Sequence, residues 1–220
     1  MFKNMNVLVT GANGFVGVNL LQRLLKLGAN ITATIHNTAP IIKDDCITYI
    51  QCDLQKPEDC KKVVQGIDFV FMCAAKTSGA AGMENDPLVH FTPNVIMNLL
   101  MLKAAYEANV QKFLFLSSST VYPLTDYPVH EDDVTNEFYD KYFVEAWAKR
   151  FSEIACEMYA TRTNAAMKLV VLRPANLYGE HDNFEWETSH VIPALIRKVV
   201  ERHDPIEVWG DGNDIKEFIY

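Results

Sequence analysis

A surplus of positive charge is the first thing this chain lacks. Against 28 Asp and Glu it carries 20 Lys and Arg, a formal net charge of −8. Non-specific binding to nucleic acid or to an anionic membrane draws on clustered lysine and arginine, and no basic run interleaved with aromatics occurs. Neither partner is expected. A cysteine framework is missing too. The five cysteines, at 46, 52, 60, 73 and 156, are odd in number, scattered, and nowhere spaced Cys-x-x-Cys. Reduced thiols fit that pattern better than a disulfide scaffold or a zinc site, and no metal is expected. No apolar run reaches membrane-spanning length, and no repeat, low-complexity segment or linker appears. The first strand starts within a few residues of Met1, which leaves no room for a signal peptide. A cytoplasmic protein is expected.

What is present is ordinary for a globular chain: 220 residues, 49% hydrophobic and 22% charged, enough to bury one full core. Strand and helix signals alternate. Val7–Val9, Ile31–Ile35, Ile47–Gln51, Phe69–Cys73, Phe113–Leu116 and Lys168–Leu172 read as strands. Pro57–Val64, Asn94–Ala108 and Val144–Tyr159 read as helices, the second with Val95, Leu99, Leu102 and Ala105 at helical spacing. Such alternation predicts an α/β fold, a doubly wound parallel sheet. The pattern becomes irregular after Pro174, so 1–173 is expected to form a dinucleotide-binding domain and 174–220 a partial substrate lobe.

The most informative stretch is Thr10-Gly11-Ala12-Asn13-Gly14-Phe15-Val16-Gly17, between the first strand and a helical pattern stopped by Gly28. Gly11 allows a tight turn, Gly14 lets backbone approach a pyrophosphate, and Gly17 lets the helix pack closely on the strand. The helix N-terminus then offers unpaired N–H groups to the phosphates. About 20 residues on, an acidic residue would accept from a ribose 2′-hydroxyl. Ile35-His36-Asn37 stands there instead, without a carboxylate. His36 could donate to a 2′-phosphate, which favours NADP with NAD as the alternative; it could equally be an exposed residue at a strand end. Asp53 is placed to meet an adenine edge or simply to form a turn, and Ala74 and Ala75 are small enough for a cofactor to pass.

These motifs, with Asp53-Leu54, Cys73-Ala74-Ala75-Lys76, Ser117-Ser118-Ser119-Thr120-Val121-Tyr122 and Leu172-Arg173-Pro174-Ala175-Asn176-Leu177-Tyr178-Gly179, resemble the extended short-chain dehydrogenase/reductase family. Within it the chain resembles the GDP-L-fucose synthases through Ala74-Ala75-Lys76, Asn176–Phe184, Ser189–Leu195 and Val208-Trp209-Gly210, motifs specific for the family and suggestive for that member. The resemblance implies an NAD(P)-dependent epimerase or reductase acting on a nucleotide sugar by hydride transfer. It further implies cofactor contacts at Gly11, Asn13, Gly14, Phe15, Val16, Gly17, Asp53, Leu54, Ala74, Ala75, Lys76, Lys149, Pro174, Asn176 and Leu177. A hydroxyl, Ser118, would bond the sugar oxygen, though a serine at a strand end could instead cap a turn. A tyrosine one turn before Lys149 would exchange the proton, since a phenol of pKa about 10 must be brought down to act near neutrality.

Here the chain departs from the pattern. Glu145 occupies the tyrosine position, and Glu145, Lys149 and Glu153 sit one turn apart, the spacing of a salt-bridged helix face. A carboxylate beside a lysine is a poor proton donor near neutrality. Three readings stand open: Glu145 as a base in a modified mechanism, His190 or an upstream tyrosine (Tyr139, Tyr142) as the proton source, or a protein that binds cofactor without turnover. Ser119-Thr120 replaces the acidic pair of the family's dehydratases, which argues against dehydration. Thr120 also replaces the cysteine base of the fucose synthases, while His190 matches their general acid. Lys198 and Lys216 fall where arginines face the substrate phosphates, keeping charge but not the bidentate fork. Asn183 and Trp209 complete the expected substrate contacts, Trp209 by stacking on or bordering the nucleotide or, equally, as a core tryptophan. Family members normally continue past Tyr220, so the chain reads as truncated or shortened. A homodimer through Asn94–Ala108 and Val144–Tyr159 is expected by the same resemblance.

Overall fold

The structure is a computed structural model, described for residues 2–77, 88–164, 166–208, 210–213 and 215–220. Six strands form one parallel sheet: β1 (Asn6–Thr10), β2 (Asn30–Ile35), β3 (Ile47–Gln51), β4 (Phe69–Met72), β5 (Lys112–Leu116) and β6 (Lys168–Leu172). Their order is β3-β2-β1-β4-β5-β6. The chain thus winds outward from β1, then crosses back to place β4 on its other side. That reversal opens a crevice at the carboxyl ends of β1 and β4, the position where open α/β sheets bind ligands. Register brings Thr10 beside Met72, so the two strand ends meet there.

The helices are α1 (Phe15–Lys26), α2 (Pro57–Val63), α3 (Phe91–Glu107), α4 (Phe143–Arg162) and α5 (Val191–Val200). Val7, Val9, Ile31 and Ala33 bury one face of the sheet against Leu21 and Leu24 of α1. Leu8, Val70, Met72, Phe113 and Phe115 bury the opposite face among Met101, Leu102, Ala105 and Cys156 of α3 and α4. Each fully buried aliphatic side chain contributes about 2 kcal/mol, so covering both faces holds the parallel sheet together. Helix α1 ends as the sequence predicts: Gly28 has φ +72 and donates its N–H to the Leu25 carbonyl.

Two helix boundaries differ from the sequence expectation by three residues. Helix α3 begins at Phe91 rather than Asn94, because Pro93 falls in the first turn, where a missing N–H breaks no helical hydrogen bond. Helix α4 runs to Arg162, three residues beyond Tyr159. After β6 comes the short parallel pair β7 (Asn176–Leu177) and β8 (Phe218–Ile219), with α5 between them in the chain.

Candidate active site

The glycine-rich turn lies at the crevice. Gly11 has φ +66, and a Cβ there would stand 2.7 Å from the Ala74 Cα, so a side chain would collide with the continuation of β4. At Gly17 a Cβ would fall inside the Gly11 carbonyl oxygen, which is the close helix–strand packing the spacing predicts. Thr34 fixes the turn from β2: its Oγ1 accepts from the Gly11 N–H at 3.2 Å and its carbonyl from Ala12 at 3.0 Å. Thr10, fully buried, accepts at Oγ1 from the N–H groups of Cys73 (3.1 Å) and Ala74 (3.0 Å). It therefore clips the two strand ends together. The sequence reading named Thr10 only as part of a motif; a hydroxyl following the apolar run Val7–Val9 was the available signal.

Gly14 is the N-cap of α1, no side chain caps that end, and no acidic residue sits in its first turn. Among the described residues the leading N–H groups therefore have no side-chain acceptor, and they lie beside the glycine positions 11 and 14. An anionic pyrophosphate fits this cradle. Asn13 holds the adjoining loop rather than pointing freely: it donates to Thr38 Oγ1 and the Ala39 carbonyl, both at 2.8 Å, and accepts from Ile41. Phe15 and Val16 are half-buried on the first turn, with the Phe15 ring near Gly179. His36 is exposed just past β2. Asp53 closes a turn, its Oδ1 accepting from Gln55 at 3.0 Å, while the Leu54 side chain is buried in the core, leaving only its backbone to face a ligand. Lys76 is exposed, and its backbone is gripped by Asn94 through bonds of 2.7 and 3.0 Å.

At the next strand end the sequence places Ser118. Its Oγ accepts from the Thr120 N–H at 3.2 Å, capping the short turn Ser119–Val121. The capping alternative is therefore present, and it leaves the Ser118 hydroxyl hydrogen available to donate. Thr120 Oγ1 is buried with no hydrogen-bond partner among the described residues. Lys149, on α4, donates from Nζ to the Leu116 carbonyl at 2.9 Å and lies over the Phe115 ring. A narrow cleft at these strand ends is lined by Cys73, Ala74, Ala75, Asn94, Leu116 and Lys149. Burial lowers the Lys149 pKa from its ordinary value, opposed by the negative charge of Glu145 and by Cys73 and Glu153. Burial likewise pushes the Cys73 thiol up to about 12, which keeps it neutral.

The salt-bridged face read from positions 145, 149 and 153 is corrected by the structure. Among the described residues, Lys149 forms no ion pair with either glutamate. Glu153 is 4% exposed and is engaged elsewhere. Arg173 reaches it with Nε at 2.9 Å and Nη2 at 3.0 Å, Ser117 Oγ at 2.6 Å, and Arg150 Nη1 at 3.2 Å. Burial alone would raise the Glu153 carboxyl, but the bonds from Arg173 and Ser117 outweigh it and hold its pKa below the ordinary value. Arg173 itself is raised, chiefly by its bond to Glu153. Spacing along the helix hid this cluster, because Arg173 comes from another element.

The remaining predicted residues lie beyond β6. Pro174 accepts at its carbonyl from Ser119 at 3.0 Å, and Asn176 pairs with Glu217 across β7 and β8, with Leu177 beside it. His190 is the exposed N-cap of α5 without a side-chain capping bond. Lys198 reaches the Glu207 carbonyl at 2.6 Å, and Lys216 is exposed ahead of β8. Asn183 spends its side chain on its own loop, donating to Thr188 and accepting from Glu185. Trp209 lies outside the described residues.

With this geometry in place, known proteins give the following matches. A family model described as the NAD dependent epimerase/dehydratase family matches residues 7–220. GDP-L-colitose synthase of Yersinia pseudotuberculosis is 32% identical over 229 residues, covering 98% of this chain and 68% of its own length. GDP-L-fucose synthase 1 of Arabidopsis thaliana is 29% identical over 231 residues, covering 99% and 66%. The chain thus spans about two thirds of the length of these curated relatives. Among solved structures, MoeE5 in complex with UDP-glucose and NAD superposes with a TM-score of 0.80 at 27% identity, covering 97% of this chain and 67% of that one. A GDP-L-fucose synthetase from Naegleria fowleri bound to NADP shares the fold, with a TM-score of 0.79 at 24% identity and coverage of 100% and 70%.

Proposed function

The chain belongs to the NAD dependent epimerase/dehydratase family, and from that premise we propose that it is a nucleotide-sugar epimerase or reductase. The observation that carries this reading is the meeting of three parts at one sheet end: the uncapped α1 N-terminus, Ser118 after β5, and Lys149 bonded to Leu116. Residues 1–173 hold the dinucleotide and 174–220 begin the substrate side. NADP is favoured over NAD, because β2 ends at exposed His36 without a carboxylate to meet a ribose 2′-hydroxyl. Of the solved neighbours, one is bound to NAD and another to NADP.

The turn Gly11–Gly17 and the first N–H groups of α1 hold the pyrophosphate, with Asp53 and Ala74–Lys76 along the rest of the dinucleotide. With a dinucleotide held by those residues, the chemistry supplied would be hydride transfer at the nicotinamide C4. The Ser118 hydroxyl, already accepting from Thr120, donates to the sugar oxygen and orients it. Glu145, one turn from Lys149, takes the proton from the sugar hydroxyl in place of the expected phenol. His190, Asn183, Lys198, Lys216 and Trp209 belong to the sugar and phosphate side. The partner surface is a second copy of the chain across α3 and α4, whose exposed Ile96, Phe151 and Met158 suit a helix-to-helix contact.

The test is turnover. The protein is mixed with UDP-, GDP-, CDP- or dTDP-sugars and NADP(H), following nicotinamide absorbance and sugar products by chromatography. Turnover abolished by Ser118→Ala or Lys149→Ala supports the reading. Dinucleotide binding with no turnover on any sugar, even after Glu145→Tyr, favours a non-catalytic binding protein of the same fold. A clear fluorescence preference for NADH over NADPH overturns the role given to His36.

A further inference from the structure

Helix α4 grips the end of β5 twice, one helical turn apart. Lys149 bonds the Leu116 carbonyl, and Glu153 accepts from the Ser117 hydroxyl at 2.6 Å. Ser118 is the next residue. On its far side, the Ser119 N–H donates to the Pro174 carbonyl at 3.0 Å, and on its near side the Ser117 N–H donates to Leu172 at 2.7 Å. Arg173 lies between those two acceptors. Its guanidinium holds both oxygens of Glu153, donates to the Glu131 carbonyl at 2.8 Å and to the Tyr122 hydroxyl at 3.2 Å, and lies over the Tyr122 ring. A single buried carboxylate therefore ties together α4, the end of β5, the turn after it and the end of β6.

From this geometry we infer that Glu153 is a positioning residue, fixing the Ser118 hydroxyl relative to Lys149 through Ser117 and Arg173. The inference rests on the proposed places of Ser118 and Lys149 in the site. Without the Ser117–Glu153 bond, the strand end keeps its backbone bonds and the Lys149 bond to Leu116 but loses the second of its two anchors to α4. Ser118 then samples positions displaced from the Lys149 amine, and a small misplacement of a reacting group is costly in rate.

Ser117→Ala removes one donor while leaving the Arg173–Glu153 ion pair intact, so the fold survives. In that variant kcat falls roughly tenfold, with KM for the sugar nucleotide and Kd for NADPH unchanged within about twofold, and Ser117→Thr restores kcat. Amide hydrogen exchange at Ser119 and Thr120 quickens roughly tenfold, while exchange in β1 and β4 does not change. Unchanged kcat together with unchanged exchange in Ser117→Ala overturns the inference. Should the wild type turn over no nucleotide sugar, the functional reading fails, and the exchange rates alone decide the positioning. They also decide it if the added methyl of Ser117→Thr disturbs packing.

Discussion

Residues up to Arg173 and the segment after it are built on opposite terms. In the first region the sheet is covered on both faces around β1, and even its polar groups are drawn inward, as at Thr10 and Glu153. In the second, Pro193 is the sole buried residue among those described, while Trp186, Val199, Val200 and Ile215 are exposed. Its order comes from local contacts, Arg197 lying over the Trp186 ring at 4.5 Å and pairing with Glu201 at 2.6 Å, and from exposed bonds back to the first region such as Asn19 of α1 to the Glu180 carbonyl at 2.8 Å. The difference separates a region in which one substitution propagates through packing from one in which it stays local.

The largest effect that sharpens this contrast is expected at Arg173. Arg173→Leu leaves the Glu153 carboxylate buried without its main partner, a loss of about 3–5 kcal/mol in urea unfolding. The pH sign follows from the lowered pKa of Glu153. Its stabilisation is complete above the ordinary glutamate value and disappears as pH falls through the depressed folded value, so wild type and variant converge in acid. A penalty independent of pH would break the account.

Next comes Gly17→Ala, whose Cβ meets the Gly11 carbonyl and must push α1 off the strand. About 1–3 kcal/mol of stability is lost, and NADPH affinity falls with it, as thermal unfolding and fluorescence titration would report. Undiminished affinity would remove the glycine turn from the cofactor site. Lys149→Met gives the opposite stability outcome in the same region. Burial lowers the Lys149 pKa, so protonation favours the unfolded chain and wild-type stability rises as pH climbs through that lowered value. The variant loses turnover, keeps its melting temperature near neutrality, and loses that pH-dependent rise. A large drop in melting temperature would make Lys149 a structural cation.

The smallest effect belongs to the second region. Trp186→Ala removes an exposed ring stacked on Arg197 and changes stability by about 1 kcal/mol or less, with NADPH binding unaltered. If instead the whole chain unfolds, the two regions are not independent in the way their burial implies.

The sequence alone determined the parts that obey short-range rules. Alternating apolar strands and amphipathic helices specify a parallel doubly wound sheet, and a glycine at each of three spaced positions specifies the turn, because steric exclusion acts within a few residues. Ser118 and Lys149 were named on a resemblance rather than on such a rule, and Glu145 interrupts the motif that would carry Lys149. The helical spacing of Glu145, Lys149 and Glu153 was equally legible but ambiguous: it shows which side chains share a face, not which of them face solvent. Tertiary structure decided that. Arg173 arrives from the end of β6 and Ser117 from the end of β5, and only their convergence makes Glu153 a buried anchor rather than one charge of a solvated helix face. A carboxylate can be held in the interior when donors from distant elements surround it, and which elements become neighbours is fixed by the packing of the whole sheet.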